Sequence, residues 1–161
     1  MQNKLAFEID NYLAIVHDLA SRAEAWISRP AWVEFSTNNV CNLRCVMCGQ
    51  SDGEPYQAMK KPRAALLLDE LLPWASLITP HANSEPLLAN IDLVQEKCRE
   101  HQCWINLITN ATVMDGARFR ELADRIWKLS ISIDSHLPDV FEKVRALAVF
   151  PEVEKNVREI L

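Results

Sequence analysis

The hydrophobic residues of the first thirty positions recur at intervals of three to four. They are Leu5, Ile9, Leu13, Val16, Leu19, Ala23 and Trp26. This is the spacing of one face of a helix, so the pattern predicts an amphipathic helix over residues 4–28, ended by Arg29 and Pro30. We expect residues 1–30 to form this helical segment and residues 31–161 to form the main domain.

Beyond this helix, short apolar runs alternate with longer helical patterns. The apolar runs predict four strands, at residues 31–37, 75–79, 103–109 and 128–134. The helical patterns cover residues 64–74, 90–102 (with Asn90 as the N-cap), 115–126 and about 138–161. Strands separated by helices form βα units, so the predicted fold class is α/β with a parallel sheet. A sheet of four strands leaves an open edge, which we expect self-association or a partner to cover.

Polar residues follow the predicted strands at the point where each one ends. They are Asn38 and Asn39, Asn83 to Glu85, Asn110, and Asp134 with Ser135. The carboxyl ends of parallel strands share one edge of the sheet, where α/β proteins bind their ligands. The pattern therefore predicts a ligand site at this edge, although turn formation alone accounts for part of it.

Three cysteines directly after the first strand carry the clearest chemical signal. Cys41, Cys45 and Cys48 lie in the sequence Cys-Asn-Leu-Arg-Cys-Val-Met-Cys. A four-iron cluster takes one thiolate per iron, so three thiolates leave one iron open for chemistry. Zinc with a distant fourth ligand and plain buried thiols remain alternatives. The remaining cysteines, Cys98 and Cys103, are expected to be buried thiols without a ligand.

Composition narrows the function classes. A chain of 161 residues with a net charge of -5 suits one domain and provides no basic surface for nucleic acid or anionic lipid. No apolar stretch is long enough to cross a membrane, and no secretory signal is visible, so we expect a cytoplasmic protein. With 3 glycines, the chain has neither a Walker loop nor a dinucleotide fingerprint. Five cysteines, an odd number, disfavour a disulfide framework.

The C-x3-C-x2-C spacing resembles the cluster loop of the radical S-adenosylmethionine (radical SAM) superfamily. Three further motifs match along residues 31–161: Ala82-Asn-Ser-Glu-Pro86 is similar to the family's Gly-Gly-Glu-Pro turn, Ile108-Thr-Asn-Ala111 to its Thr-Asn-Gly ending, and Ser130-Ile-Ser-Ile-Asp-Ser135 to its Ser-x-Asp strand. The resemblance implies a partial, four-strand version of the radical SAM partial TIM barrel, preceded by an N-terminal helix.

The resemblance also implies the site residues. A [4Fe-4S] cluster would be bound by Cys41, Cys45 and Cys48. S-adenosylmethionine would be contacted by Met47 at the adenine, Glu85 at the amino group, Asn110, Ser132 at the ribose, and Arg145. Asp134 would bind substrate or cap a turn.

By the same resemblance, the reduced cluster cleaves S-adenosylmethionine, and the resulting 5′-deoxyadenosyl radical abstracts hydrogen from a substrate that the sequence does not specify. A flavodoxin-type or ferredoxin-type protein would supply the electron. The chain departs from the family in having Ala82 and Ser84 at glycine positions and four strands where six βα units are usual. Two alternatives follow: a truncated relative that binds a cluster without turnover, and an interaction module with zinc or no metal.

Overall fold

The structure, a computed structural model, describes residues 4–49 and 55–161. Its helices are α1 (Lys4–Ser21), α2 (Lys61–Leu71), α3 (Ile91–Glu100), α4 (Gly116–Leu122), α5 (Pro138–Val144) and α6 (Phe150–Ile160). Its strands are β1 (Trp32–Glu34), β2 (Arg44–Cys45), β3 (Leu77–Thr79), β4 (Trp104–Thr109), β5 (Ile126–Ile131) and β6 (Arg145–Ala146). Among these helices, none is both long enough and apolar enough to span a membrane.

Four of the strands form one parallel sheet in the order β1-β3-β4-β5. This arrangement confirms the predicted α/β class and its four-strand sheet. The connections between these strands contain α2, α3 and α4, as the βα pattern requires. A separate antiparallel ladder joins β2 to β6. Within the described residues, β1 and β5 are the two edges of the main sheet.

One face of the sheet supports the main hydrophobic core. Ile78, Ile105 and Leu107 on this face are almost fully buried, and they pack with Leu68 of α2 and Val94 of α3. Burying apolar side chains of this size contributes about 1.5–3 kcal/mol each relative to exposure, before the loss of conformational entropy. On the opposite face, Trp32 Nε1 and Asn106 Nδ2 both donate to Thr79 Oγ1.

A second, smaller core lies under the cysteine loop. Phe141 of α5 is fully buried there, packed with Leu43 and with Val153 of α6. The Phe141 and Phe150 rings meet edge to face with centroids 5.3 Å apart. The last two helices therefore form an apolar support for the loop that carries the three cysteines.

The N-terminal helix differs from its prediction in length and in orientation. It ends at Ser21, not at residue 28. Its buried residues are the polar Asn11 and Asp18, whereas its apolar row is exposed to solvent: Leu5, Ile9, Leu13, Val16 and Leu19 are 47–62% exposed. Asn11 Oδ1 accepts the Arg29 N–H at 2.7 Å, and Asp18 Oδ2 accepts the N–H groups of residues 27 and 28. Hydrogen bonds to the following segment therefore decide which face turns inward.

Several predicted boundaries shift for identifiable reasons. The strand predicted at 128–134 begins at Ile126, because the ladder with β4 starts there and then contains an irregularity, and it ends at Ile131. The predicted helix over 138–161 is two helices interrupted by β6. Asn90 precedes α3 with a left-handed backbone, φ 61°, and its side chain donates to the Met59 carbonyl instead of capping the helix.

Candidate functional site

A cavity of about 340 Å³ lies at the carboxyl ends of the parallel strands. All eight residues proposed from the sequence as cluster or cofactor ligands line it: Cys41, Cys45, Met47, Cys48, Glu85, Asn110, Ser132 and Arg145. The volume falls within the range of small-molecule sites in proteins. Residues separated by up to 104 positions in the sequence thus line the same cavity. Their individual roles remain predictions.

The cysteine loop is held in place by the β2–β6 ladder. Cys45 is paired with Arg145 across this ladder, and the Val46 N–H donates to the Val144 carbonyl at 2.9 Å. The Cys48 N–H donates to the Cys45 carbonyl at 3.0 Å, which closes a turn between the last two cysteines. The loop conformation therefore depends on the segment that follows α5.

Polar hydrogens surround the cysteine sulfurs. The Leu43 N–H donates to Cys41 Sγ at 3.5 Å, and Asn110 Nδ2 lies 3.9 Å from the same sulfur. Arg145 Nη1 lies 3.7 Å from Cys45 Sγ. Burial, which outweighs the Leu43 hydrogen bond, raises the pKa of Cys41, and the nearby Glu85 carboxylate adds to the effect. Thiols in such a setting lose their protons on binding a metal, and the surrounding donors then stabilise the thiolates.

The spacing of the three sulfurs bears on the kind of metal. In residues 4–49 and 55–161, Asp69, Glu100 and His101 place three possible metal-ligand atoms within 4.8 Å of one another. The sulfurs of the three loop cysteines do not form such a group. Ligand sulfurs on a single tetrahedral zinc lie about 3.8 Å apart. The three loop sulfurs are therefore not gathered at the spacing of a single zinc site.

Glu85 is 2% exposed and connects two strand ends. Its Oε1 accepts the Thr109 hydroxyl at 2.8 Å and the Leu87 N–H at 3.3 Å, and its Oε2 accepts the Asn110 N–H at 2.8 Å. Burial raises its pKa, although these donors oppose the shift. A carboxylate offers about four acceptor positions, so one position remains toward the cavity. Glu85 thus caps the short turn Pro86–Leu88 and also lines the cavity.

Near the cavity, a left-handed backbone conformation occurs at Ala111 and not in the Ala82-to-Pro86 motif. Ala82 and Ser84 stand where the resembling family has glycine, yet neither residue has a positive φ. Ala111 does, with φ 58°, directly after Asn110. A left-handed conformation costs a non-glycine residue roughly 1 kcal/mol or more, and Ala111 is fully buried with its carbonyl accepting from Asn156 Nδ2 at 2.8 Å.

Arg145 and Asp134 form a two-contact ion pair at the cavity. Arg145 Nε lies 2.5 Å from Asp134 Oδ2 and Nη2 lies 3.3 Å from Oδ1. The pair fixes the guanidinium next to Cys45 and occupies the Asp134 carboxylate. Met47 is 58% exposed at the rim, and Ser132 lies at the end of β5.

The structure adds residues that the sequence did not single out. His81 lines the cavity, and its Nε2 is buried without a partner within the described residues. Asn42 accepts Asn110 Nδ2 at 3.0 Å and donates to the Thr112 hydroxyl at 2.8 Å, which joins the cysteine loop to the end of β4. His81 directly precedes the Ala82-to-Pro86 motif and was within reach of sequence reasoning, but the Asn42 contacts depend on tertiary structure.

No protein-family model matches the sequence. Among curated proteins, UPF0026 protein slr1464 of Synechocystis sp. is 27% identical over 125 residues, which cover 73% of this chain and 47% of that protein. The chain therefore spans about half the length of the curated relative that it matches.

Solved structures resemble the chain more extensively. BtrN in complex with AdoMet and 2-DOIA aligns with a TM-score of 0.57 and 22% identity, covering 78% of this chain and 54% of BtrN. Native anSMEcpe with bound AdoMet aligns with a TM-score of 0.66 and 20% identity, covering 81% of this chain and 40% of anSMEcpe. Streptococcus suis SuiB bound to S-adenosylmethionine aligns with a TM-score of 0.64 and 14% identity, covering 91% of this chain and 33% of SuiB. These neighbours are radical SAM enzymes, and the chain has the partial-barrel fold of their superfamily in a shorter form.

Proposed function

We propose that this chain is a radical SAM protein that binds a [4Fe-4S] cluster and S-adenosylmethionine and acts on a substrate by hydrogen abstraction. The observation that carries the proposal is the shared cavity. Three thiols and five candidate cofactor side chains from five separate segments line one space of about 340 Å³. The structural neighbours with bound AdoMet support the same class.

The residues present fit the cluster. Cys41, Cys45 and Cys48 supply three sulfur ligands and leave a fourth position open. Leu43 N–H, Asn110 Nδ2 and Arg145 Nη1 lie near the sulfurs and would offset their negative charge.

When bound and reduced, the cluster supplies the electron that cleaves S-adenosylmethionine to a 5′-deoxyadenosyl radical, the species that takes hydrogen from substrate. The chain binds and orients the cofactor for this step. Glu85 would use its remaining acceptor position for the cofactor amino group, Ser132 would contact the ribose, and Asn110 would be a further cofactor contact. Met47 covers the adenine with its thioether, and Arg145, fixed by Asp134, keeps its charge beside Cys45.

The proposal also includes partners. A flavodoxin-type or ferredoxin-type protein delivers the electron, because no other reductant is part of the proposed chemistry. Self-association through an edge of the sheet, at β1 or β5, would cover the unpaired backbone groups there.

A second candidate function is cluster binding without turnover. Ala82 and Ser84 line the cavity at positions where the family has glycine, so they add side-chain atoms to its wall. Such a protein would bind the cluster and interact with S-adenosylmethionine weakly or not at all.

The decisive experiment is electron paramagnetic resonance on protein reconstituted anaerobically with iron and sulfide and reduced with dithionite. We expect a reduced [4Fe-4S] signal that changes when S-adenosylmethionine is added, together with release of 5′-deoxyadenosine. A signal that ignores the cofactor, with no such release, would support the second candidate. Retention of zinc and no iron after anaerobic purification would overturn both.

A further inference from the structure

Each nitrogen of the Arg145 guanidinium has a partner at the cavity. Nε and Nη2 donate to the two carboxylate oxygens of Asp134 at 2.5 and 3.3 Å, and Nη1 donates to Cys45 Sγ at 3.7 Å. Because the guanidinium is planar, the two bonds to the carboxylate fix the direction of the third nitrogen. A carboxylate, a guanidinium and a thiol are thus connected in sequence, and the last is one of the proposed cluster ligands.

The contact between Arg145 and Cys45 follows from strand register. The two residues lie opposite each other in the antiparallel β2–β6 ladder, and opposite residues of such a pair direct their side chains to the same face. The bond from the Val46 N–H to the Val144 carbonyl continues this pairing. Asp134 belongs to the segment after β5, outside the ladder. The guanidinium is therefore held from two separate parts of the chain.

The contact at Cys45 differs in charge from the contacts at Cys41. Cys41 Sγ is approached by the Leu43 N–H and by Asn110 Nδ2, which are both neutral groups. Cys45 Sγ is approached by a full positive charge. Cys45 is 9% exposed and the Arg145 side chain is 15% exposed, so water screens this charge incompletely. Arg145 is therefore placed to act on the charge of a group bound to Cys45.

A charge at this place affects how readily a cluster accepts an electron. Reduction adds one negative charge to a group that three thiolates already make anionic. A neighbouring cation stabilises the reduced form and raises the reduction potential, whereas a neighbouring carboxylate has the opposite effect. Net charge and hydrogen bonds to the sulfurs are among the factors that set the potentials of iron–sulfur clusters. Arg145 and Asp134 should therefore act on the same equilibrium in opposite directions.

We propose that the Arg145–Asp134 pair sets the reduction potential of the bound cluster. Arg145 raises the potential through its contact with Cys45. Asp134 is a positioning residue that directs the guanidinium and offsets part of its charge. The step concerned is the transfer of one electron from an external reductant to the oxidised cluster. The inference rests on the proposed function, because it requires the cluster, but it requires neither S-adenosylmethionine nor a substrate.

The test is a redox titration of the reconstituted full chain, followed by electron paramagnetic resonance without S-adenosylmethionine, so that no cofactor contact contributes. Arg145→Gln leaves the carboxylate unopposed and should make reduction about tenfold less favourable, a fall of about 59 mV for one electron. Asp134→Asn leaves the guanidinium unopposed and should raise the potential by a similar amount. A purely structural role of the pair would not shift the two variants in opposite directions.

A second ion pair provides the controls. Arg158 and Glu154 pair at 2.7 Å on α6, and neither is among the described residues that line the cavity. Arg158→Gln and Glu154→Gln change the net charge by the same amounts and should leave the potential unchanged. The double variant of Arg145→Gln with Asp134→Asn removes both charges and should return most of the way to the wild-type potential.

Shifts of the same sign in the two single variants, or shifts no larger than those of the controls, would overturn the inference. If Arg145→Gln binds no cluster, the Asp134→Asn titration is the test: a raised potential supports the inference, and an unchanged or lowered one overturns it. If neither single variant binds a cluster, the pair has a structural role and the inference is wrong.

The wild-type protein separates this inference from the proposed function. A wild-type chain that binds no cluster overturns both. A wild-type cluster that responds to S-adenosylmethionine, combined with variants whose potentials do not move, overturns the inference alone.

Discussion

The five cysteines form two groups whose surroundings differ sharply. Cys98 and Cys103 are completely buried in the main core, and the Cys103 N–H donates to the Cys98 carbonyl at 2.9 Å. A hydrogen bond with Cys103, together with burial, raises the pKa of Cys98. The three loop cysteines line an open cavity and have N–H donors directed at two of their sulfurs.

The comparison shows that the surroundings, and not the residue type, decide what a thiol can do. The core pair packs within the main hydrophobic core and behaves as small hydrophobic side chains. The loop group has room for a ligand, nearby positive charge from Arg145 and a fixed backbone. The following predictions test this contrast, beginning with the largest effect.

Cys45→Ala should abolish the cluster, because it removes one of three ligands from a site that has no spare thiol within reach. Iron and sulfide analysis after anaerobic reconstitution should fall from about four irons per chain to near zero. Cys98→Ala, the matched control from the core, should keep its iron. Equal iron content in the two variants would contradict the division into two groups.

Glu85→Ala should destabilise the loop side of the molecule without touching a cysteine. The change leaves the Thr109 hydroxyl and the Asn110 N–H without their acceptor in a buried place, at a cost of about 3 kcal/mol. Urea unfolding of the cluster-free protein measures this cost. Glu85→Gln retains a carbonyl oxygen and should lose less; a loss as large as that of the alanine variant would argue against the hydrogen-bond explanation.

Cys98→Ala should lower the free energy of unfolding by about 1 kcal/mol, because it leaves a small void in a packed core. Cys48→Ala in the cluster-free protein should stay within about 0.5 kcal/mol of wild type, because its side chain is partly exposed at the cavity. Denaturant unfolding under reducing conditions compares them. The reverse order would mean that the loop is the better packed of the two regions.

The pH dependence of stability should report the burial of Glu85. Because its pKa is raised in the folded protein, the native state holds the proton to higher pH than the unfolded chain does. The resulting stability is complete below the unfolded pKa of about 4.3 and is lost as pH rises through the folded value. Relative to Glu85→Gln, the wild type should therefore lose stability as pH rises above the unfolded pKa of about 4.3. Parallel stability curves for the two proteins would show that the donors from Thr109 and Asn110 cancel the burial effect.

Much of the fold followed from the sequence because local patterns determine it. The four parallel strands come from apolar runs between helical repeats, and the cavity follows because the carboxyl ends of parallel strands meet. The cysteine spacing located the loop, and the motif after β3 located Glu85.

The remaining features depend on contacts between distant residues. The β2–β6 ladder joins two-residue strands with no pattern of their own, so neither could be predicted. The α1 helix has a clear hydrophobic row, but hydrogen bonds from Asn11 and Asp18 to residues 27–29 turn that row outward. The strain at Ala111 appears only once the φ angle is known.

The β2–β6 ladder also sets the order of events during synthesis. The cysteine loop receives its backbone partners from residues 144–146, one hundred positions later in the chain. The ribosome must therefore release residues up to Ala146 before the three thiols reach their final arrangement. A nascent chain stopped before Arg145 would lack β6, so its cysteine loop would not be held by the ladder.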